Sequence, residues 1–287
     1  MAISIAKADG TQEPFNPEKL VSSLMRAGAE HALARDISRE VERELYNGIT
    51  TQEIYRHAFA KLREARRGAA ARYSLKRAIL EFGPSGFPFE AYLSELFRAE
   101  GAQTEIDQII QGACVEHEVD VVVHFPHSKS GQKGGVMFVE AKFHNAAGFK
   151  TDLKTVLYVK ARLEDIQAHR TSKGIEEPMR GLVATNTKFT DVAARYAACA
   201  GLEILGWEEP AGNTLHDRID KAGLYPITAL TTLGRREKMA LLSQKIVLCN
   251  ALGSNTRALS VAGVSGPKAD RVLEEVGSLC VPSQHIE

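Results

Sequence analysis

Apolar and polar positions follow three different rhythms along the chain, and each predicts a different architecture. Up to about residue 83 the pattern opens with a short apolar stretch, "ISIAKADG", whose Asp9-Gly10 is a strong turn signal. "EPFNPEKL" offers a second extended piece and then a helix start, with Asn16 as N-cap and Pro17 at the first helical position. Leu20, Leu24 and Ala27 recur at helical spacing over 18–29. Further helices are expected over 37–46, 51–64 and 68–81, with Thr51 capping the one that begins there. The breaker cluster "FGPSGFP" marks a boundary.

From about 85 to 209 helix and strand rhythms alternate. "PFEAYLSELFRAEG" reads as an amphipathic helix, "VDVVVHF" as a strand, "PHSKSGQKGG" as a polar connection and "VMFVEAKFH" as the partner strand of a hairpin. Residues 153–169 are expected to be helical, "MRGLVATN" a buried strand, 189–200 a helix and "LEILGW" a last strand. That order implies a mixed sheet flanked by helices. From 210 to 287 the periodicity is helical, ending in "LSVAGVSGPKADRVLEEV", a helix, a Gly-bounded turn and a helix. The expected fold class is therefore a multidomain α+β protein, with segments 1–84, 85–209 and 210–287.

Composition narrows the classes. Hydrophobic residues make up 44% and charged residues 25% of the 287 positions, as in an ordinary folded protein. The formal net charge is +0, so nucleic-acid binding would need local patches. No apolar run reaches the roughly 18 residues of a membrane span, and "MAISIAKADG" turns polar too early for a signal peptide. Cys114, Cys199, Cys249 and Cys280 include no Cys-x-x-Cys pair, so disulfides are not expected and the cytoplasm is the expected location. His117, His124 and His127 lie near Cys114 but lack the close ligand pairs of a zinc site.

The chemistry centres on "VMFVEAKFH". Side chains alternate across a strand, so Glu140 and Lys142 share one face and Val139 and Ala141 the other. Asp120 ends "EHEVD" on the preceding strand, with Glu118 on the same face, and the hairpin could bring Asp120 beside Glu140. Two converging carboxylates make a hard oxygen site suited to Mg²⁺, and a lysine beside them completes a kit for phosphodiester hydrolysis. A plain Glu140–Lys142 salt bridge is the competing explanation, although the apolar flanks make idle charges costly there.

The order Asp120, then Glu140-Ala141-Lys142, resembles the PD-(D/E)xK nuclease superfamily, and specifically Mrr-type restriction endonucleases. "GFPFEAYLSELFRAEG" is similar to that family's opening helix and "GLVATNTKFTDVAARYAACAGLEILGW" to its later strand–helix–strand unit. The resemblance implies metal ligation by Asp120 and Glu140 with Ala141 as a further contact, Lys142 as catalytic lysine, Glu90 as an extra acid, Mg²⁺ or Mn²⁺ as cofactor and DNA as substrate, with a role in restriction or defence. "HEVD" departs from the Gly-rich turn many relatives carry, which leaves the role of Glu118 open.

"ISIAKADGTQEPFNPEKL", with "GITTQEI" and "AARYSLKRAI", resembles the ATP-cone, a small nucleotide-binding domain with a β-hairpin over a helical bundle. The resemblance implies ATP or dATP as effector, contacted by Ile5, Lys7, Glu13, Asn16, Lys19, Leu20, Thr51 and Ile54. Lys7-Ala8 stands where the family usually has Lys-Arg, and Tyr55 where histidine is frequent. The run 61–77 holds seven basic residues and one acid, either a solvated helix face or a phosphate contact. "VAGVSGPKADRVLEEV" has the outline of a helix-hairpin-helix, with one residue more than the usual Gly-apolar-Gly turn. The expected function is a metal-dependent DNA endonuclease regulated by adenine nucleotide, a homo-oligomer through its cone and nuclease domains, with no membrane association. The alternative is a nucleotide-responsive nucleic-acid-binding regulator whose nuclease-like domain does not cut.

Overall fold

The computed structural model describes residues 3–7, 10–126 and 134–280. Packing divides the chain into two units, one of residues 1–81 with 225–281, the other centred on 82–224. Asp9 of the expected turn and most of the Gly-rich connection lie outside the described residues. Among the described residues no helix is long and apolar enough to cross a membrane.

The first unit opens with β1 (Ser4–Ala6) and β2 (Gln12–Pro14), antiparallel with Ile5 opposite Glu13. The helix α1 (Pro17–Arg26) starts where Asn16 accepts from the N–H groups of Glu18 and Lys19. The next helix, α2 (His31–Arg43), starts earlier than its expected bound because Ala34 joins Ile37 and Val41 on the buried stripe. After β3 (Ile49–Thr50), which runs parallel to β1, comes α3 (Thr51–Ala65). Its cap is Thr50, not Thr51: Thr50 and Glu53 form a reciprocal capping box. The expected single helix over 68–81 is two, α4 (Arg67–Tyr73) and α5 (Leu75–Leu80), interrupted at Ser74, whose hydroxyl donates to the Ala71 carbonyl. Leu24, Ile37, Ile49, Ala58 and Leu62 form the core of this part.

In the second unit α6 (Phe87–Ala99) precedes β4 (Gln103–Gln111), β5 (Glu116–Phe125) and β6 (Gly135–Lys142). After β7 (Lys150–Thr151) come α7 (Leu153–Ser172) and β8 (Met179–Thr185). Then β9 (Lys188–Phe189), α8 (Asp191–Ala200) and β10 (Glu203–Leu205) follow. The sheet order is β10-β8-β6-β5-β4; β4, β5 and β6 are antiparallel neighbours, and β6, β8 and β10 run parallel. The edge strand β4 was not expected from the sequence. Every second residue of "QTEIDQIIQ" is exposed, and polar side chains outweigh the apolar signal. One face of β6 carries Val136 and Phe138 into a core with Val156, Val159 and Leu163 of α7. This is the face on which Glu140 follows.

The short helix α9 (Leu215–Ala222) also belongs to the second unit, where Arg218 lies 5.5 Å from the Phe97 ring centroid. Packing thus draws residues 210–224, grouped with the C-terminal segment by sequence pattern, toward the sheet. The rest of that segment packs with the first unit: α10 (Arg235–Ser243), α11 (Ala251–Ser254), α12 (Thr256–Val261) and α13 (Pro267–Leu279). The small residues of α4 let α13 approach, and the Arg72 guanidinium reaches the carbonyls of Ser278 and Leu279. Glu275, 3% exposed, accepts from the backbone N–H and hydroxyl of both Thr231 and Thr232. Cys249 and Cys280 form a disulfide in this unit, against the expectation of none. Their separation of 31 positions shows no pairing motif in the sequence.

Candidate active site and nucleotide site

The β5–β6 register bears on what the hairpin alone left open. Val121 opposes Val139 at the last pair of the ladder, which puts Asp120 and Glu140 one position beyond it on the two strands. The Asp120 carboxylate is held across the strands by the Ala141 N–H, 2.6 Å from Oδ2. Lys142 is exposed at the end of β6, where its carbonyl accepts from the Thr185 hydroxyl at 2.8 Å. Two residues on, Asn186 clamps His144 through both backbone groups, at 2.8 Å to the N–H and 2.7 Å to the carbonyl. The strand end that carries Lys142 is therefore tied to the end of β8 by side chains of "ATNT".

Charge here is out of balance. Burial, and then the neighbouring Glu140 carboxylate, push the Asp120 carboxyl up to about 6. Burial, and then Asp120, Asp107, Glu118 and Glu140, push Glu90 on α6 up to about 7. Both values report carboxylates with too little compensation. The structure thus brings Glu90 within electrostatic reach of Asp120 and Glu140, and leaves Glu118 exposed at the margin.

Two further residues complete the arrangement. Arg162 on α7 donates from Nη1 to Glu140 Oε2 at 2.6 Å and from Nη2 to the Tyr158 hydroxyl at 2.8 Å. Its side chain is 10% exposed, its partner's 16%, and its Nε has no partner. Asp107 on β4 lies between the pairs Ile106–Val121 and Gln108–Val119, beside Asp120, with φ of +57°, a region few non-glycine residues occupy. Nothing in the sequence marks Arg162 among the many charges of its helix. Asp107 sits in the strand that sequence reading missed.

A divalent cation fits the donor set in one manner only. Among the described residues no three His, Cys, Asp or Glu side chains stand close enough to hold a metal between them. Mg²⁺ commonly takes one or two carboxylates and keeps several waters. Asp120 and Glu140 are the two carboxylates that come together here, and burial followed by the like charge of Glu140 raises the Asp120 carboxyl. His117 pairs with Asp165 and His124 with Glu105, while His127 lies outside the described residues.

In the first unit the expected nucleotide residues fall into two groups. Ile5, Leu20 and Ile54 are buried in one apolar cluster. Lys7 lies 2.7 Å and Lys19 3.4 Å from Glu13, whose carboxyl is held below its usual range chiefly by the Lys7 hydrogen bond. Asn16 spends its side-chain oxygen on the α1 cap, and Thr51 is the first residue of α3. Lys19 itself lies in the first turn of α1. Tyr55 stacks on Tyr73 at 5.2 Å and on Phe59 at 5.8 Å. Much of the basic run is committed internally: Lys61 to Glu40, Arg66 to Glu30, Arg77 to Glu81, and Arg72 to α13 carbonyls.

Comparison with known proteins agrees with this division. Residues 3–80 match the ATP cone domain family, which supports an adenine nucleotide as effector, and residues 225–280 match the family described as AF1548-like, C-terminal. An uncharacterized protein of Archaeoglobus fulgidus is 32% identical over 184 residues, covering 64% of this chain and 97% of that protein. The crystal structure of AF1548, a protein of unknown function, aligns with a TM-score of 0.54 at 28% identity over 68% of this chain and 98% of its own. The MspJI restriction endonuclease, solved with a 27-mer oligonucleotide, aligns with a TM-score of 0.35 at 17% identity over 71% of this chain and 39% of its own. That last likeness is too slight to bear on function.

Proposed function

We propose a function from this premise: the chain belongs to the AF1548-like family, with the uncharacterized Archaeoglobus fulgidus protein as a relative along nearly that protein's whole length. The chain acts as a metal-dependent nuclease that hydrolyses phosphodiester bonds of DNA, under control of an adenine nucleotide taken up by its cone. One observation carries this reading: Asp120 and Glu140 lie one position beyond the Val121–Val139 pair on adjacent strands, joined by the Ala141 N–H to Asp120, with Lys142 next on the Glu140 face.

Asp120 and Glu140 would hold Mg²⁺ or Mn²⁺, with Ala141 as a further contact. When bound, the cation supplies Lewis-acid polarisation of the scissile phosphoryl group. Arg162 fixes one Glu140 oxygen and so orients the other. Lys142 meets the charge that grows on the phosphate, and Asn186 and Thr185 keep its strand end in place. Glu90, raised to about 7, can hold or release a proton near neutrality. A nucleotide that binds two states of the cone with different affinity shifts their populations, which is all that control requires.

A second reading has its own observation: Arg162 already places a cation on Glu140, so the unit could bind nucleic acid without cutting it. Incubation of plasmid, single-stranded DNA and RNA with and without Mg²⁺ and ATP separates the two. Wild type is expected to cut only with the metal, and Lys142→Ala to lose about 100-fold or more in rate. Identical products from wild type and Lys142→Ala would end the nuclease reading.

A further inference from the structure

Two exposed aromatic rings beside this site have no part in the fold's core. Phe149 is 58% and Tyr158 57% exposed. Neither ring is loose. Phe149 lies parallel to the His144 imidazole, centroids 5.7 Å apart and planes 5° from parallel. His144 is the residue clamped by Asn186, two positions beyond Lys142. Tyr158 carries the Arg162 guanidinium 4.7 Å from its ring centroid, and its hydroxyl accepts from the same arginine that grips Glu140. Each ring is thus backed by a group anchored to the proposed active site and remains largely open to solvent.

Topology places the two rings toward the same end of β6. In the β6–α7–β8 crossover, β6 and β8 are parallel, so α7 runs back alongside them. Tyr158, one turn before Arg162, therefore lies toward the strand end that leads to His144 and Phe149. The segment that leads from β6 into α7 is net positive. Between residues 142 and 154 Lys142, Lys150 and Lys154 are exposed, and the one acid, Asp152, is spent on the N-cap of α7 through the Thr155 N–H.

We propose that Phe149 and Tyr158 are a stacking platform for the bases of an unpaired nucleic-acid strand whose phosphates meet Lys142, Lys150 and Lys154. In a duplex the base faces are already covered by neighbouring bases. A single strand, a loop or a frayed end offers free faces, and aromatic stacking accepts any base. The inference rests on the nuclease reading of this site and adds the form of its substrate: unpaired rather than duplex.

The test is fluorescence anisotropy on the full chain in EDTA, with a labelled mixed-sequence oligodeoxynucleotide presented single-stranded, annealed to its complement, and as the RNA of the same sequence. The single strand is expected to bind more tightly than the duplex. Phe149→Leu, which keeps apolar bulk but loses the ring, is expected to weaken single-strand binding about tenfold. Phe149→Tyr keeps the affinity, and Tyr158→Leu repeats the loss, with circular dichroism unchanged throughout. RNA binding with the same ring dependence also supports the platform. Equal affinity for single strand and duplex, or leucine variants that bind like wild type, overturn it. Ring-dependent binding without cleavage on adding Mg²⁺ keeps the platform and removes the nuclease. Mg²⁺-dependent cleavage of duplex that is unchanged in both leucine variants keeps the nuclease and removes the platform.

Discussion

The carboxylates of β5 and β6 and the carboxylate of Glu13 live under opposite electrostatic conditions. Asp120 and Glu90 are half-buried, crowded by like charge, and pushed up to about 6 and about 7. Glu13 sits at the surface between Lys7 and Lys19 and is held below its usual range. The first region crowds like charges in a partly buried setting, which on the proposed reading a metal cation would relieve. The second has its lysines paired with Glu13, so a phosphate that met them would have to compete with that carboxylate. Low dielectric makes the first imbalance expensive, whereas solvent makes the second cheap to rearrange. One chain thus carries crowded, partly buried carboxylates in one unit and a solvent-exposed carboxylate between two lysines in the other.

Removing Arg162 is the harshest way to break this contrast. Its pair with Glu140 is nearly buried, and loss of one partner leaves a charge with no compensation. Arg162→Ala is expected to cost about 2–4 kcal/mol in denaturant unfolding. Millimolar Mg²⁺ should return part of that loss, because the cation replaces the guanidinium. A variant as stable as wild type, or one that Mg²⁺ does not help, would show that Glu140 needs no cation.

The cone should respond differently. Lys19 is 66% exposed, so Lys19→Ala is expected to leave the melting temperature almost unchanged. Calorimetric affinity for ATP or dATP should nevertheless fall about tenfold, the effect of losing one charge-assisted phosphate contact. Glu13→Gln sharpens the point: if Glu13 restrains the lysines, nucleotide affinity rises about threefold, and the gain shrinks with added salt. A fall in affinity would instead make Glu13 a direct nucleotide contact, as the cone resemblance implies.

The two regions were also unequally legible. Glu140 and Lys142 stood out because charge inside an apolar run is a local anomaly, visible in nine residues. Asp120 followed from strand alternation once a hairpin was assumed, although its facing of Glu140 depended on a register no local pattern states. Arg162 could not be found, since α7 carries charges along much of its length and only its packing on β6 selects one. The strand β4 was hidden by its own edge position, where exposed polar residues dilute the alternation that reveals inner strands. The packing of α13 on α4 joins positions about 200 apart, and the disulfide of Cys249 with Cys280 has no motif to announce it. Local chemistry is written in the sequence in readable form; partners chosen by tertiary register are not.

A last test reads the stored cost directly through pH. Asp120 and Glu90 have carboxyls raised in the folded state, so the folded form is favoured where they are protonated. Their contribution is fully present below about pH 4 and is lost as pH rises through about 6 to 7, where both ionise against their surroundings. Asp120→Asn abolishes the ionisation and keeps the size. It is expected to stabilise the metal-free protein by about 1 kcal/mol at pH 8, after discounting for partial exposure, and to be neutral at pH 4. The gain should vanish in saturating Mg²⁺, because wild type then has the cation that relieves the same repulsion. Equal effects of the substitution at both pH values would mean that Asp120 is not crowded by charge, and would remove the electrostatic difference between this site and the cone.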